Sequence, residues 1–223
     1  MCGRFALPTP EVLASHFSVK KTPDLAQRYN IAPSQDISAV RLIPHTADRE
    51  IVLLRWGLIP FWAKDRKIGY KMINARAESV ADKPAFRTAF RHRRCLIPAA
   101  GFFEWSHKAK TKQPYYIRLK DSNILAFAGL WEHWVGKNGE IIDSCTIITT
   151  DANKTVGNIH DRMPVIIESE LYDRWLDPGA EEKNLLSLFT PFPDKKILAY
   201  PVGIEVNNPK NDNPNCLVEM KEK

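Results

Sequence analysis

The chain has 223 residues, 44% hydrophobic and 26% charged, an ordinary globular composition that excludes general disorder. Its longest run without a polar side chain, Cys95–Phe103, contains a Pro and a Gly. That run is far short of the roughly 20 apolar residues of a membrane-spanning helix, and no apolar run of signal-peptide length follows Met1, so a soluble, cytoplasmic protein is expected, nucleoid-associated if bacterial. The formal net charge is +6, and positions 64–94 hold ten Lys/Arg against three Asp/Glu, so the rest of the chain is close to neutral. Basicity confined to one segment suits a local polyanion site as well as it suits a solvated helix surface.

In chain order, Thr9-Pro10-Glu11 opens a short helix to about Phe17, with Thr9 as N-cap and Pro10 in the first turn. Strands are expected at Ile37–Leu42 and Glu50–Gly57. A helix begins near Asp82-Lys83-Pro84 and runs to about Arg94, burying Ala85, Phe86, Ala89 and Phe90. Lys83, Arg87, Arg91 and Arg94 form a stripe on another face. Cys95–Trp105 reads as one buried strand, followed by strands at Pro114–Leu119, Ile124–Trp134 and Ile141–Thr150. Gly136-Lys137-Asn138-Gly139 is a hairpin signal between the last two. A short helix over Asp151–Asn158, a strand over Val165–Ile167, helices over Ser169–Leu176 and Glu182–Phe189, and a strand over Ile197–Ile204 complete the pattern. With no repeat or linker, the expectation is one α+β domain over the whole chain. Its core is a mainly antiparallel, barrel-like sheet, and an irregular tail starts at about Asn207.

Four cysteines (Cys2, Cys95, Cys145, Cys216) form no C-x-x-C pair, and the six histidines form no H-E-x-x-H pattern, so neither a metal nor a disulfide framework is expected. His16, His45, His92, His107 and His133 lie in helix, loop or hairpin surroundings and are given no chemistry. Cys2 becomes N-terminal if Met1 is removed. It then offers an α-amine, roughly a tenth neutral at pH 7, and a thiol. The pair can close onto an aldehyde as a thiazolidine, or the thiol can act in acyl transfer with the amine as base. The plain alternative is a residue of a frayed terminus.

Glu104 ends an apolar strand among aromatics, which strip its hydration and raise its pKa into the range of a general acid/base; a solvent-facing strand end is the alternative. His160, in Ile159-His160-Asp161-Arg162-Met163-Pro164, is either a proton-transfer group or a hydrogen-bonding loop histidine. Asn74 and Arg76 are two apart, so extended backbone aims both the same way, suited to gripping one phosphodiester. Arg4 adds a second candidate phosphate contact. Trp56, Pro60 and Trp62, with Phe61, precede the basic segment and supply candidate stacking surfaces for unpaired bases, although at least one of the three aromatics belongs in the core. Arg87 represents the basic stripe.

Taken together, Met1-Cys2-Gly3-Arg4-Phe5, Arg28-Tyr29-Asn30-Ile31-Ala32-Pro33, Trp56-Gly57-Leu58-Ile59-Pro60, Asn74-Ala75-Arg76-Ala77-Glu78, Arg94-Cys95-Leu96-Ile97-Pro98, Gly101-Phe102-Phe103-Glu104-Trp105 and Ile159-His160-Asp161-Arg162-Met163-Pro164 carry a resemblance. In this order they resemble the SOS response-associated peptidase (SRAP) family over nearly the whole chain, to Val206-Asn207-Asn208. Phe103, where many relatives carry Tyr, is a mild departure. The resemblance implies a cofactor-free, monomeric sensor of abasic sites in single-stranded DNA, extending to single-strand/duplex junctions. Such a protein crosslinks itself to the lesion and shields it from cleavage. It also implies that Cys2 is the nucleophile and Asn74 positions the reacting groups. Arg4 and Arg76 would hold flanking phosphates, Glu104 would move protons, and His160 would assist sugar opening. Autocatalytic removal of Met1 is implied as well. Two rival readings are an N-terminal-nucleophile amidohydrolase, which also begins Met-Cys-Gly, and a non-covalent reader of modified cytosine or DNA.

Overall fold

The computed structural model describes residues 2–106 and 112–220. Met1, expected to be removed, and His107 lie outside the described residues. The strands are β1 (Phe5–Ala6), β2 (Val19–Lys21), β3 (Asp36–Leu42), β4 (Arg49–Trp56), β5 (Asn74–Arg76), β6 (Arg94–Ala99), β7 (Gly101–Ser106), β8 (Gln113–Leu119), β9 (Leu125–Val135), β10 (Ile141–Asp151), β11 (Arg162–Pro164) and β12 (Ile197–Pro201).

Strands β10, β9, β6, β3 and β4 are successive antiparallel neighbours. β4 then returns to β10 in parallel, Arg55 opposite Ser144 and Trp56 opposite Cys145. This closes a five-stranded barrel, which removes the exposed edges that an open sheet of these strands would carry. Its core includes Phe5, whose ring meets Trp56 edge-on at 5.2 Å and Phe127 at 6.0 Å. The α+β class with a mainly antiparallel, barrel-like sheet is the observed one.

A second antiparallel sheet, β1-β7-β8-β12, lies beside the barrel. Alternation along β7 divides its side chains between two clusters: Phe102 joins the main core, whereas Phe103 packs with Ala6, Tyr116, Val202, Val206 and Cys216. Glu104, two residues beyond Phe102, falls on the side of the main core.

Several expected elements are redrawn. The single strand over Cys95–Trp105 is two strands, β6 in the barrel and β7 in the second sheet, with the chain changing sheet at Ala100. Gly101 permits the change, because a Cβ there would lie 2.6 Å from the Ile117 carbonyl oxygen. The helix expected to reach Arg94 spans only Arg87–His92. Arg94 opens β6 and is buried, donating to the carbonyls of Phe90, Arg91, Trp175 and Asp177. It therefore leaves the basic stripe, because a guanidinium that caps two chain segments is unavailable to solvent.

The strand expected at Val165–Ile167 is Arg162–Pro164 instead, with Ile166 making an isolated bridge to Phe127. The hairpin between β9 and β10 is present, with Gly139 at φ 78°. The Thr9 side chain does not cap its helix. The tail expected to be irregular from about Asn207 instead holds a 3-10 turn over Pro214–Leu217 and a bridge from Glu219 to Val202, and it is anchored. The Asp212 carboxylate accepts from the Tyr29 and Asn30 N–H groups, and the Asn30 amide faces the Val206, Asn208 and Asn211 carbonyls at 2.8–3.1 Å.

Candidate functional site

Strand β1 delivers the amino-terminal residues to the site. Phe5 pairs with Phe102, and the Phe103 N–H donates to the Arg4 carbonyl at 2.9 Å. The chain before β1 therefore runs antiparallel along the end of β7 and carries Cys2 towards Glu104. Both are buried, Cys2 at 0% and Glu104 at 3% exposure. Burial, reinforced by the Asp161 carboxylate, pushes the Glu104 carboxyl up to about 7. Burial, then the Glu104 charge, pushes the Cys2 thiol well above its usual range. The thiol is thus neutral at physiological pH, and reaction at sulfur requires an acceptor for its proton. Glu104, balanced between its two protonation states, is such an acceptor.

Strand β5 lies parallel to β10, with Asn74 opposite Ile147 and Arg76 opposite Thr149. Ala75 between them is buried, while Arg76 is exposed, the alternation expected of extended backbone. Asn74 is the unusual residue here. Both polar atoms of its amide are buried, and neither has a hydrogen-bond partner among the described residues. Leaving a buried amide unmet costs on the order of 1–3 kcal/mol, a cost that a bound polar ligand would relieve.

His160 closes the group. Its Nδ1 lies 2.8 Å from an Asp161 carboxylate oxygen and 3.0 Å from the Arg162 main-chain nitrogen. The Asp161 charge reaches Glu104, so this turn lies within electrostatic range of the end of β7. Cys2, Glu104 and the His160–Asp161 turn therefore share one neighbourhood, assembled from segments about a hundred and fifty residues apart at the extremes.

Other expected contacts are placed differently. Trp56, proposed from sequence as a base contact, is core: fully buried, its indole N–H donates to the Ile73 carbonyl at 2.9 Å. Pro60 is buried too. Neither can meet a base, because alternation in β4 and the close packing of the following turn aim them inward. The exposed aromatics are Phe61 (53%), Trp62 (48%) and Tyr70 (61%). Tyr70, which the sequence reading missed, lies beneath the Arg55 guanidinium at 5.8 Å. Its neighbours Lys67 and Lys71 were the available signal. Arg87 is exposed on its helix.

Arg4 is half-buried and donates to the Asn30 side-chain oxygen at 2.8 Å and the Val206 carbonyl at 2.7 Å, with Trp105 beneath it at 5.7 Å. A phosphate contact from Arg4 would have to share these donors. All four cysteines are buried and free. Among the described residues no three His, Cys, Asp or Glu side chains are grouped to hold a metal ion.

A family model described as SOS response associated peptidase (SRAP) matches residues 1–209. The abasic site processing protein YoqW of Bacillus subtilis (strain 168) is 44% identical, the match covering 97% of this chain and 99% of that protein. The abasic site processing protein HMCES of Xenopus tropicalis is 34% identical over 86% of this chain and 66% of that protein. A crystal structure of a protein from Bacteroides thetaiotaomicron has the same fold, with a TM-score of 0.89 at 28% identity, covering 99% of this chain and all of that one.

Proposed function

Because the chain belongs to the SOS response associated peptidase (SRAP) family, we propose that it processes abasic sites in DNA by joining itself to them through Cys2 once Met1 is gone. The carrying observation is the burial of the Cys2 thiol beside a carboxyl pushed up to about 7, in a chain whose relatives are named for abasic sites.

An abasic deoxyribose opens to an aldehyde. Opening moves a proton from the C1 hydroxyl to the ring oxygen, a transfer that suits His160. The Cys2 amine adds to the aldehyde carbon and water leaves, giving an imine. Left alone, the imine promotes β-elimination and strand cleavage. The Cys2 thiol then adds to the same carbon; its proton passes by way of Glu104 to the nitrogen, and the carbon–nitrogen double bond becomes single. The product is a thiazolidine, formed from amine, thiol and aldehyde with loss of one water. A thiol that starts neutral needs this relay, which is the use we assign to Glu104. The unmet Asn74 amide would bind the reacting sugar or amine, and Arg76 a flanking phosphate. Single-stranded DNA, including the strand beside a duplex junction, is the proposed partner, since the lesion must be unstacked to reach a buried thiol.

The deciding experiment incubates the protein with a single-stranded oligonucleotide carrying one abasic site, then denatures it. The expected product is a heat-resistant adduct whose mass equals protein without Met1 plus DNA minus one water. An intact oligonucleotide should give none. Absence of the adduct, or an adduct that retains Met1, overturns the reading.

A further inference from the structure

Two motifs of the sequence hold none of the roles assigned above: Arg28-Tyr29-Asn30-Ile31-Ala32-Pro33 and, near the other terminus, Val206-Asn207-Asn208. They meet at the amino-terminal segment. Ile31 bridges Phe5 through a pair of main-chain bonds at 2.8 and 3.2 Å, and the Leu7 N–H donates to the Arg28 carbonyl at 2.9 Å. β1 therefore has β7 on one side and this segment on the other. Asn30 is fully buried; its Oδ1 accepts from Arg4 Nη1 at 2.8 Å, while its Nδ2 faces the Val206, Asn208 and Asn211 carbonyls. Asp212 joins the two motifs. One of its carboxylate oxygens accepts from the Tyr29 and Asn30 N–H groups at 2.5 and 2.9 Å, and the other from Arg28 Nε. From the same tail the Val206 carbonyl accepts from Arg4 at 2.7 Å, and the Asn207 side-chain oxygen accepts from the Trp105 indole at 2.6 Å.

We propose that Asp212 and Asn30 are positioning residues, through which the carboxyl-terminal segment straps down Arg4 and Trp105 and so fixes Cys2 against Glu104. The proposal rests on the covalent reading above and deepens it. Arg4 lies two residues from Cys2, and Trp105 is next to Glu104, so the strap holds a neighbour of each reacting group. Cys2 has need of it. A chain terminus is poorly ordered unless it is tied down, and β1 supplies only two paired residues. A misplacement of about 1 Å can cost ~10²-fold in rate. The residue types suit the task. The Asn30 amide accepts from a guanidinium through its oxygen and donates to carbonyls through its nitrogen, which an ionised carboxyl cannot do. The Asp212 carboxylate accepts from two main-chain N–H groups and an arginine at once. Plain fold stability is the competing role, and its loss would spread over the barrel instead of staying in the amino-terminal segment.

The test compares Asp212→Ala and Asp212→Asn with wild type in saturating crosslinking rate, half-saturating concentration of the abasic strand, and amide hydrogen exchange. Asp212→Ala should lose about tenfold or more in saturating rate, with half-saturation within about twofold of wild type. The Phe5 and Leu7 amides, which donate to the Ile31 and Arg28 carbonyls, should exchange about tenfold faster while the amides of β6 keep their wild-type rate. Asp212→Asn keeps an oxygen for the two N–H groups and should recover most of the crosslinking rate. An unchanged rate in Asp212→Ala, faster exchange throughout the barrel in step with the rate loss, or Asp212→Asn no better than Asp212→Ala overturns the strap. Should Asp212→Ala not fold, Asn207→Ala takes its place, since it removes the acceptor of the Trp105 indole. It should lose about threefold in rate at an unchanged thermal midpoint, and an unchanged rate overturns the strap. If the wild type forms no adduct, the covalent reading fails by itself. The strap is then decided by exchange alone, where Phe5 and Leu7 amides as slow in Asp212→Ala as in wild type overturn it.

Discussion

At the scale of single residues, Glu104 sets function against stability. A carboxyl pushed up to about 7 by burial binds a proton more tightly in the folded chain than in the unfolded one. The folded state is therefore favoured by this group at low pH, and the advantage is lost as pH rises through the unfolded value and up to about 7. Ionised at pH 8, Glu104 costs the fold up to a few kcal/mol. Glu104→Gln should lose crosslinking rate by ~10²-fold or more while binding undamaged single-stranded DNA as before. It should also flatten the fall in thermal midpoint between pH 5 and pH 8. A variant that loses rate and affinity equally, or whose midpoint keeps the wild-type pH dependence, would show that the carboxyl neither moves protons nor resides in the folded core as a reluctant anion.

At the scale of elements, what the sequence could and could not disclose follows from length and periodicity. The long strands β3, β4, β8, β9 and β10 each run over seven or more residues rich in apolar and β-branched side chains, and each was legible. β1, β2 and β5, two or three residues each, are too short to show a period, yet β1 directs the chain that bears Cys2 along β7 and β5 bears Asn74. Those residues drew attention through chemistry and family motif, and their strands were not found at all. An unbroken apolar run hid the boundary between β6 and β7, since both halves are buried on both faces. Trp56 and Arg94 misled for a related reason. Residue type suggests a use for an aromatic or a guanidinium, but only tertiary packing decides whether it faces water.

The hidden boundary yields its own test. A methyl at Gly101 would meet the Tyr116 ring at 2.5 Å and the Ile117 carbonyl oxygen at 2.6 Å, neither of which can retreat without opening the β7–β8 ladder. Gly101→Ala should lower stability by about 1–3 kcal/mol, the usual scale of overpacking. It should also slow crosslinking in the fraction that remains folded, because Glu104 rides on the same strand. Chemical denaturation reads the first and single-turnover adduct formation the second. Unchanged values for both would mean that the two sheets do not depend on a bare backbone at this corner.

At the scale of the whole molecule, the charge of positions 64–94 makes a claim about DNA that no single contact makes. With Arg94 withdrawn into the core and Arg87 and Arg91 exposed, the segment should attract a polyanion diffusely and grip it at few points. Single-strand affinity should fall with salt at about −0.7 per neutralised phosphate. Arg76→Ala should make that slope shallower by roughly the same amount, whereas Arg87→Ala should weaken binding with little change of slope. The exposed rings of Phe61, Trp62 and Tyr70 lie in the same stretch of chain. Stacking is worth roughly 1–3 kcal/mol per base, so Trp62→Ala should weaken single-strand binding about tenfold and leave the slope unaltered, since it removes no charge. Intact duplex offers these rings no free base faces and should bind poorly, with a junction bound at least as well as the single strand. Salt titrations of wild type and the three variants against single-stranded, duplex and junction DNA separate the two contributions. An unchanged slope in Arg76→Ala removes the phosphate grip from β5, and equal affinity for unbroken duplex removes the stacking surface.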